Sequence, residues 1–255
     1  MNLSSLLERT AAFTLSLPII LLLMTRLAWY KSFAALFIYY VIGFTYSVMA
    51  IGYLKMNPGF VRNYAVINNL MDAPLMLLFL TYFSRTSSFR KKIFWIVGGF
   101  ILYLVVILAI YGFNIRASTI ITTPGLALTF MLSLIFAIHQ VKITVVYHKA
   151  AGKAIIASAL FFCYIGYTYV YSVFYYMDQR YQDDARFVFF IITILSTLAI
   201  SVGIILEKKR VKKLFEIKTT RQELKALYDG EERKTVAPLE TIVFNVDNTW
   251  GRRSS

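Results

Sequence analysis

Seven runs of predominantly apolar residues take up most of residues 10–207 of this chain. They cover residues 10–29, 33–54, 64–82, 93–112, 120–141, 155–177 and 187–206. Because a helix rises about 1.5 Å per residue, about 20 apolar residues are enough to cross the hydrocarbon core of a bilayer. The runs therefore predict an all-α integral membrane protein, in which residues 1–207 form a seven-transmembrane-helix bundle.

The composition narrows the classes of function. Hydrophobic residues make up 58% of the chain, which is more than a soluble domain usually contains. The single cysteine, Cys163, excludes an intramolecular disulfide. Two histidines, His139 and His148, are too few for a metal centre, which usually needs three or four convergent ligands. We predict no metal, no cofactor and no catalytic cluster, and therefore not an enzyme.

The net charge of +14 is explained by the orientation of the helices, without nucleic acid as a partner. Nine basic residues lie in the loops after the first, third and fifth runs or, in the case of Arg26, close to the end of the first run; six lie at the N-terminus and in the other loops, and twelve follow Glu207. Lysine and arginine accumulate on the cytoplasmic side of membrane proteins. The pattern predicts an N-terminus outside, a C-terminus in the cytoplasm and a location in the cell membrane, with the bacterial inner membrane expected.

Asp72 is the only acidic residue inside any of the seven apolar runs. An ionisable group at that depth is costly and usually faces the bundle interior, where it meets a proton, an ion or a partner. Asn68 and Asn69 precede it by four and three residues, so the three side chains are predicted to share one side of a helix. This pattern indicates a proton or cation site reached from outside, or else a polar cluster that fixes the third helix to its neighbours.

Tyrosines recur at helical spacing in two of the runs. The sixth run carries Tyr164, Tyr167, Tyr171 and Tyr175, and the second carries Tyr39, Tyr46 and Tyr53. Such stripes are typical of interhelical hydrogen bonding, and they could also line an aromatic pocket around a carboxylate. The candidate ligand-binding residues are Asp72, Asn68, Asn69, Tyr46, Tyr167 and Tyr171.

The region after the seventh run is strongly basic. Residues 208–230 are predicted to continue the seventh helix as a juxtamembrane amphipathic helix, and residues 231–255 to form a flexible cytoplasmic tail. Anionic lipid headgroups are expected to attract the basic side chains directly below the membrane, which are Lys208, Lys209, Arg210, Lys212 and Lys213. The apolar side of this helix is a candidate surface for a cytoplasmic protein partner or a second copy of the chain.

No residue pattern identifies a known family. The last run, Phe187–Leu206, lacks the lysine of microbial rhodopsins. In architecture alone, the chain resembles bacterial sensor proteins, in which a seven-span region precedes a cytoplasmic helix. We therefore expect a multi-pass membrane sensor or signalling subunit that binds a small ligand or proton between its helices. A small-solute or proton-coupled transporter and a non-catalytic subunit of a larger membrane complex remain alternatives.

Overall fold

A computed structural model of the chain describes residues 3–84, 86–147, 150–177 and 179–230. These residues form an all-helical fold that contains no β-strand. The helices are α1 Leu3–Met24, α2 Phe33–Ala50, α3 Pro58–Leu80, α4 Ser87–Tyr111, α5 Ile115–Tyr147, α6 Ala151–Tyr176 and α7 Gln182–Gly230. Short 3₁₀ turns follow α1, α3 and α6 at Leu27–Trp29, Thr81–Phe83 and Gln179–Tyr181. The predicted tail, residues 231–255, lies outside the described residues, as does His148.

All seven helices are long and apolar enough to cross a membrane, as expected for a multi-pass membrane protein. Several begin at residues whose side chains satisfy the free N–H groups of the first turn. The Asn57 side chain accepts a hydrogen bond from the Gly59 N–H at 2.9 Å, and Pro58 occupies the first position of α3, where no N–H is needed. The Asn114 side chain accepts in the same way from the Ala117 N–H at 2.8 Å.

The third helix begins earlier than hydropathy predicts. It starts at Pro58 and not at residue 64, because the Asn57 cap lies before a turn that is too polar to be counted as part of an apolar run. Asp72 is therefore about 21 Å from the start of α3, compared with the roughly 12 Å that the shorter run implies. This places the carboxyl group close to the middle of the span Pro58–Phe83.

Helix α3 lies at the centre of the packing. It contacts α2, α4 and α5. In its most apolar stretch of 18 residues, 67% of the residues are buried, whereas the corresponding fraction is 22% in α2 and in α4. Its buried residues include Leu70, Met76 and Phe79, which belong to the main hydrophobic core. A polar side chain on the buried side of α3 therefore lies close to several other helices.

Glycines allow α6 and α7 to approach closely. A Cβ atom added at Gly152 would lie 2.7 Å from the backbone nitrogen of Glu207 and 3.0 Å from the carbonyl oxygen of Gly203. Since backbone atoms cannot move aside as a side chain can, a larger residue at this position would separate the two helices. Small residues at helix interfaces serve this purpose in membrane bundles.

The chain divides into two compact units, Met1–Val211 and Lys212–Ser255. The described part of the second unit is helical and exposes apolar side chains at Leu214, Phe215 and Leu224. Within it, Lys212 and Glu216 form an exposed ion pair at 3.8 Å. Exposed pairs of this kind contribute little to stability.

Candidate functional site

The Asp72 carboxyl group joins two helices directly. The Tyr164 hydroxyl of α6 donates a hydrogen bond of 3.2 Å to Asp72 Oδ1 on α3. Tyr164 is only 1% exposed and Asp72 is half-buried, so this bond is partly buried. Tyr39 of α2 also interacts with the Asp72 side chain. The group therefore connects α2, α3 and α6 through one carboxylate and tyrosine hydroxyls.

The two asparagines predicted beside Asp72 occupy different environments. Asn68 is half-buried and faces α2, where its Oδ1 lies 3.8 Å from the position that a Cβ of Gly43 would take. Asn69 is exposed on the outside of the described structure. The structure thus places Asn68 on the α2 side of the Asp72 region, while Asn69 is directed elsewhere.

Tyr167 lies next to the Asp72 site, in contact with Tyr164. The two rings meet edge to face with centroids 6.0 Å apart. The Tyr167 ring also stacks on Phe189 at 5.3 Å, and its hydroxyl is 3.4 Å from the Thr193 hydroxyl. Because Phe189 and Thr193 belong to α7, Tyr167 links the surroundings of Asp72 to the last helix.

Tyr171 and Tyr46 are placed further from Asp72. The Tyr171 hydroxyl donates to the Thr119 carbonyl at 3.1 Å and lies 2.6 Å from the Thr123 hydroxyl, so it attaches α6 to α5. Tyr46 is half-buried on α2, about 10 Å along the helix from Tyr39. Of the two, it is Tyr39 that interacts with the carboxyl group, although it belongs to the same predicted stripe as Tyr46.

Two open apolar grooves, of about 470 and 510 Å³, are lined by α5 and α6, the second also by α7, and Asp72 lines neither of them. A drug-sized ligand needs a concave pocket of about 300–1,000 Å³ that encloses most of its surface. Neither of these two grooves therefore presents the Asp72 carboxyl group to a ligand of that size.

A second buried carboxylate, Glu207, lies on α7 and is fully buried. Arg210 Nε donates to both of its oxygens at 2.9 Å, and the Tyr82 hydroxyl donates to Oε1. Arg210 Nη2 also donates to the Tyr82 hydroxyl at 3.0 Å. This network connects the end of α3 to α7, and a buried charge held by several hydrogen bonds of this kind is strongly fixed.

Two lysines stand close to the same network. Lys153 Nζ lies 4.3 Å from the centroid of the Tyr82 ring and donates to the Tyr82 carbonyl at 3.4 Å. Lys31 Nζ lies 5.1 Å from the centroid of the Tyr30 ring. The Tyr30 and Tyr82 rings meet edge to face at 6.4 Å, so the two ammonium groups lie over neighbouring rings.

The residues predicted to meet lipid headgroups fall into two groups. Lys208, Lys209, Lys212 and Lys213 are exposed. Arg210 is only partly exposed and is bound to Glu207 and Tyr82. The four lysines are exposed for headgroup contact along the helix surface, whereas Arg210 is held by Glu207 and Tyr82 through its Nε and Nη2 atoms.

Sequence reasoning missed the Glu207 network. The available signal was the spacing of Glu207 and Arg210, which are three residues apart and therefore neighbours on a helix. Because Glu207 follows the last apolar run, hydropathy gives no reason to place its side chain in the core. The contributions of Tyr82 and Lys153 depend on tertiary packing and had no local signal.

Within the part of the chain that the structure describes, no group of three or more histidine, cysteine or acidic side chains is placed to hold a metal ion. In the comparisons with known proteins, no family model, no curated protein and no solved structure matches this chain.

Proposed function

We propose that this chain is a multi-pass membrane sensor or signalling subunit that binds a proton at Asp72. The observation that supports the proposal is the hydrogen bond from Tyr164 to Asp72, near the middle of the most enclosed helix. In this proposal the N-terminus is outside and the C-terminus is in the cytoplasm, in the inner membrane of a bacterium. The basic residues of the loops and tail favour that orientation.

A change of charge at Asp72 alters the packing around it. An ionised carboxylate accepts a charge-assisted hydrogen bond from Tyr164, and such bonds are stronger than those between neutral groups. Protonation weakens this bond and removes a charge from the low-dielectric interior. The free-energy difference between two packing arrangements of α3 and α6 therefore depends on whether Asp72 is ionised or protonated.

The contacts of Tyr167 supply a route to α7. Its ring touches Tyr164 on one side and Phe189 on the other. A movement of Tyr164 is therefore passed to α7, which continues as a single helix to Gly230. The exposed apolar residues Leu214 and Phe215 offer a surface for a cytoplasmic protein partner in this proposal.

Infrared difference spectroscopy of the purified protein tests the binding step. We expect acidification to produce the carbonyl band of a protonated carboxyl group in a weakly hydrated environment. Asp72→Asn should lack this band, and Tyr164→Phe should shift its frequency because the hydrogen-bond donor is removed. Asp184→Asn is the matched control, since Asp184 is exposed in the first turn of α7. An unchanged band in Asp72→Asn would exclude proton binding at this residue.

A proton-coupled transporter is the second candidate. Prolines inside three helices favour it, because each removes a backbone hydrogen bond and permits bending; they are Pro18, Pro74 and Pro124. Proton flux into proteoliposomes separates the two functions. A sensor should not carry a sustained flux, whereas a transporter should carry one that Asp72→Asn abolishes.

A further inference from the structure

The end of the bundle that contains Tyr82 gathers three cations around one carboxylate. Arg210 and Lys153 both contact Tyr82, and Lys31 lies over the adjoining Tyr30 ring. Arg210, Glu207 and Lys31 are the charged groups that act on Lys153 most strongly. These residues come from α6, α7 and the loop between α1 and α2, so the group is formed only when the chain is folded.

The charges of this group do not balance. Glu207 neutralises one positive charge and is already bound to Arg210 through both of its oxygens. Lys31 and Lys153 are left with aromatic faces and a backbone carbonyl as described contacts. A π face and a carbonyl dipole attract a cation, but they do not neutralise it. The group therefore keeps two positive charges that repel each other, one on the partly buried Lys153 and one on the exposed Lys31.

The geometry points to a phosphate-binding site formed by Lys31, Lys153 and Arg210, with Tyr82 and Glu207 holding the arginine in place. Ammonium and guanidinium groups from three segments, gathered around the touching Tyr30 and Tyr82 rings, match the several oxygens of one phosphate group. Lys31 is exposed and Lys153 and Arg210 are partly exposed, so an anion can approach. This site differs from the region formed by the exposed lysines at 208, 209, 212 and 213. Those side chains lie along the surface of one helix and do not surround a common point.

The backbone at Lys31 supports this assignment. Its φ is 49°, in the left-handed region that residues other than glycine seldom adopt. Such conformations persist where the surrounding structure holds them and are concentrated at binding sites. In this conformation the Lys31 ammonium group lies over the Tyr30 ring, which in turn contacts the Tyr82 ring.

The phosphate can belong to an anionic phospholipid headgroup or to a soluble phosphate compound, and one experiment separates them. The purified full-length protein in neutral detergent is titrated with phosphatidylglycerol, with phosphatidylcholine and with inorganic phosphate, and bound lipid is measured by native mass spectrometry. We expect phosphatidylglycerol to bind at least about tenfold more tightly than phosphatidylcholine, because the site carries excess positive charge. Displacement by inorganic phosphate would assign the site to soluble phosphate, and lipid binding that phosphate does not displace would assign it to the headgroup.

Two substitutions localise the binding. Lys153→Gln and Lys31→Gln should each weaken binding of the phosphate-bearing ligand by about tenfold, since each removes a charged hydrogen-bond donor. Lys92→Gln is the matched control, because it makes the same charge change at an exposed position in the first turns of α4. Lys31 is itself exposed, so its variant should fold even if Lys153→Gln is unstable. The inference is overturned if the folded variants bind as tightly as Lys92→Gln, or if the native protein binds none of the three probes selectively.

Discussion

At the residue scale, the carboxylates of Asp72 and Glu207 have partners of different kinds. Asp72 accepts from Tyr164 and interacts with Tyr39, so among the described residues its charge is compensated by hydroxyl dipoles. Glu207 is bound to the guanidinium of Arg210, which is a full opposite charge. Neutralising Glu207 would leave Arg210 without its counter-ion, whereas neutralising Asp72 leaves no cation unpaired among its described contacts. Asp72 is therefore the better candidate for a group whose protonation changes during function.

Replacing Tyr164 by phenylalanine removes the donor to Asp72 while keeping the buried ring. We expect a loss of about 1 kcal/mol, since interhelical hydrogen bonds in membranes contribute roughly 0.6–1.7 kcal/mol. Thermal unfolding in detergent measures the effect. Tyr169→Phe on the same helix is the control, because Tyr169 is 54% exposed and should tolerate the change. Equal stability of the two variants would show that the Tyr164–Asp72 bond contributes little.

We expect Glu207→Gln to destabilise the protein more than Tyr164→Phe does. It leaves Arg210 partly buried without its counter-ion and brings no replacement charge near Lys153. Breaking a buried ion pair by removing one partner typically costs about 3–5 kcal/mol, and partial exposure of Arg210 favours the lower end of that range. Glu216→Gln, in an exposed pair with Lys212, should cost less than about 1 kcal/mol. Similar unfolding temperatures for both variants would contradict the structural role assigned to Glu207.

At the element scale, the contact between α6 and α7 depends on Gly152. Alanine at this position would place its Cβ 2.7 Å from the Glu207 backbone nitrogen, so the helices must separate. We expect Gly152→Ala to destabilise the protein by about 1–3 kcal/mol, as overpacked cores do. Gly99→Ala in α4 is the control, because a Cβ there meets nothing within 4 Å. The unfolding temperatures of the two variants are compared. If Gly152→Ala is as stable as Gly99→Ala, α6 and α7 are not packed this closely.

The seven helices could be predicted from sequence because the length of an apolar run and the thickness of a bilayer are linked directly. Their ends were harder to predict. The Asn57 cap extends α3 by six residues beyond its apolar run, and α5 continues to Tyr147, past the predicted end at residue 141. Hydropathy measures burial in lipid, whereas helix ends are set by capping and backbone hydrogen bonds, so the two boundaries need not coincide.

The site was predictable only in part. A single acidic residue in an apolar run is conspicuous, and helical spacing suggests both Asn68 and Asn69 as neighbours of Asp72, of which Asn69 is exposed in the structure. Spacing along one helix does not specify which residue of another helix lies opposite, so Tyr164 and Tyr39 were present in the predicted stripes without being chosen as the partners of Asp72. The Lys31 and Lys153 group depends on three segments that are distant in sequence, and no local pattern contains that information.

At the scale of the whole molecule, the orientation in the membrane can be measured by cysteine labelling. In a Cys163→Ala background, single cysteines are introduced at Asn57 and at Ser255. Because basic residues concentrate in the C-terminal tail and in the loops after α1, α3 and α5, we expect a membrane-impermeant thiol reagent to label residue 57 in intact cells. Residue 255 should react only after lysis. Labelling in the reverse order would place the N-terminus in the cytoplasm and remove the proposed direction of signalling.

The proposal that protonation of Asp72 changes the C-terminal part of α7 is tested most directly by a spin label at residue 225. Lys225→Cys in the Cys163→Ala background is labelled, reconstituted in nanodiscs and followed by electron paramagnetic resonance as the pH is lowered. We predict a change in label mobility that is lost in Asp72→Asn and retained in Asp184→Asn, since only the first removes the carboxyl group bonded to Tyr164. The proposal would be contradicted if the label in Asp72→Asn showed the same pH-dependent change in mobility as the label in the protein that keeps Asp72.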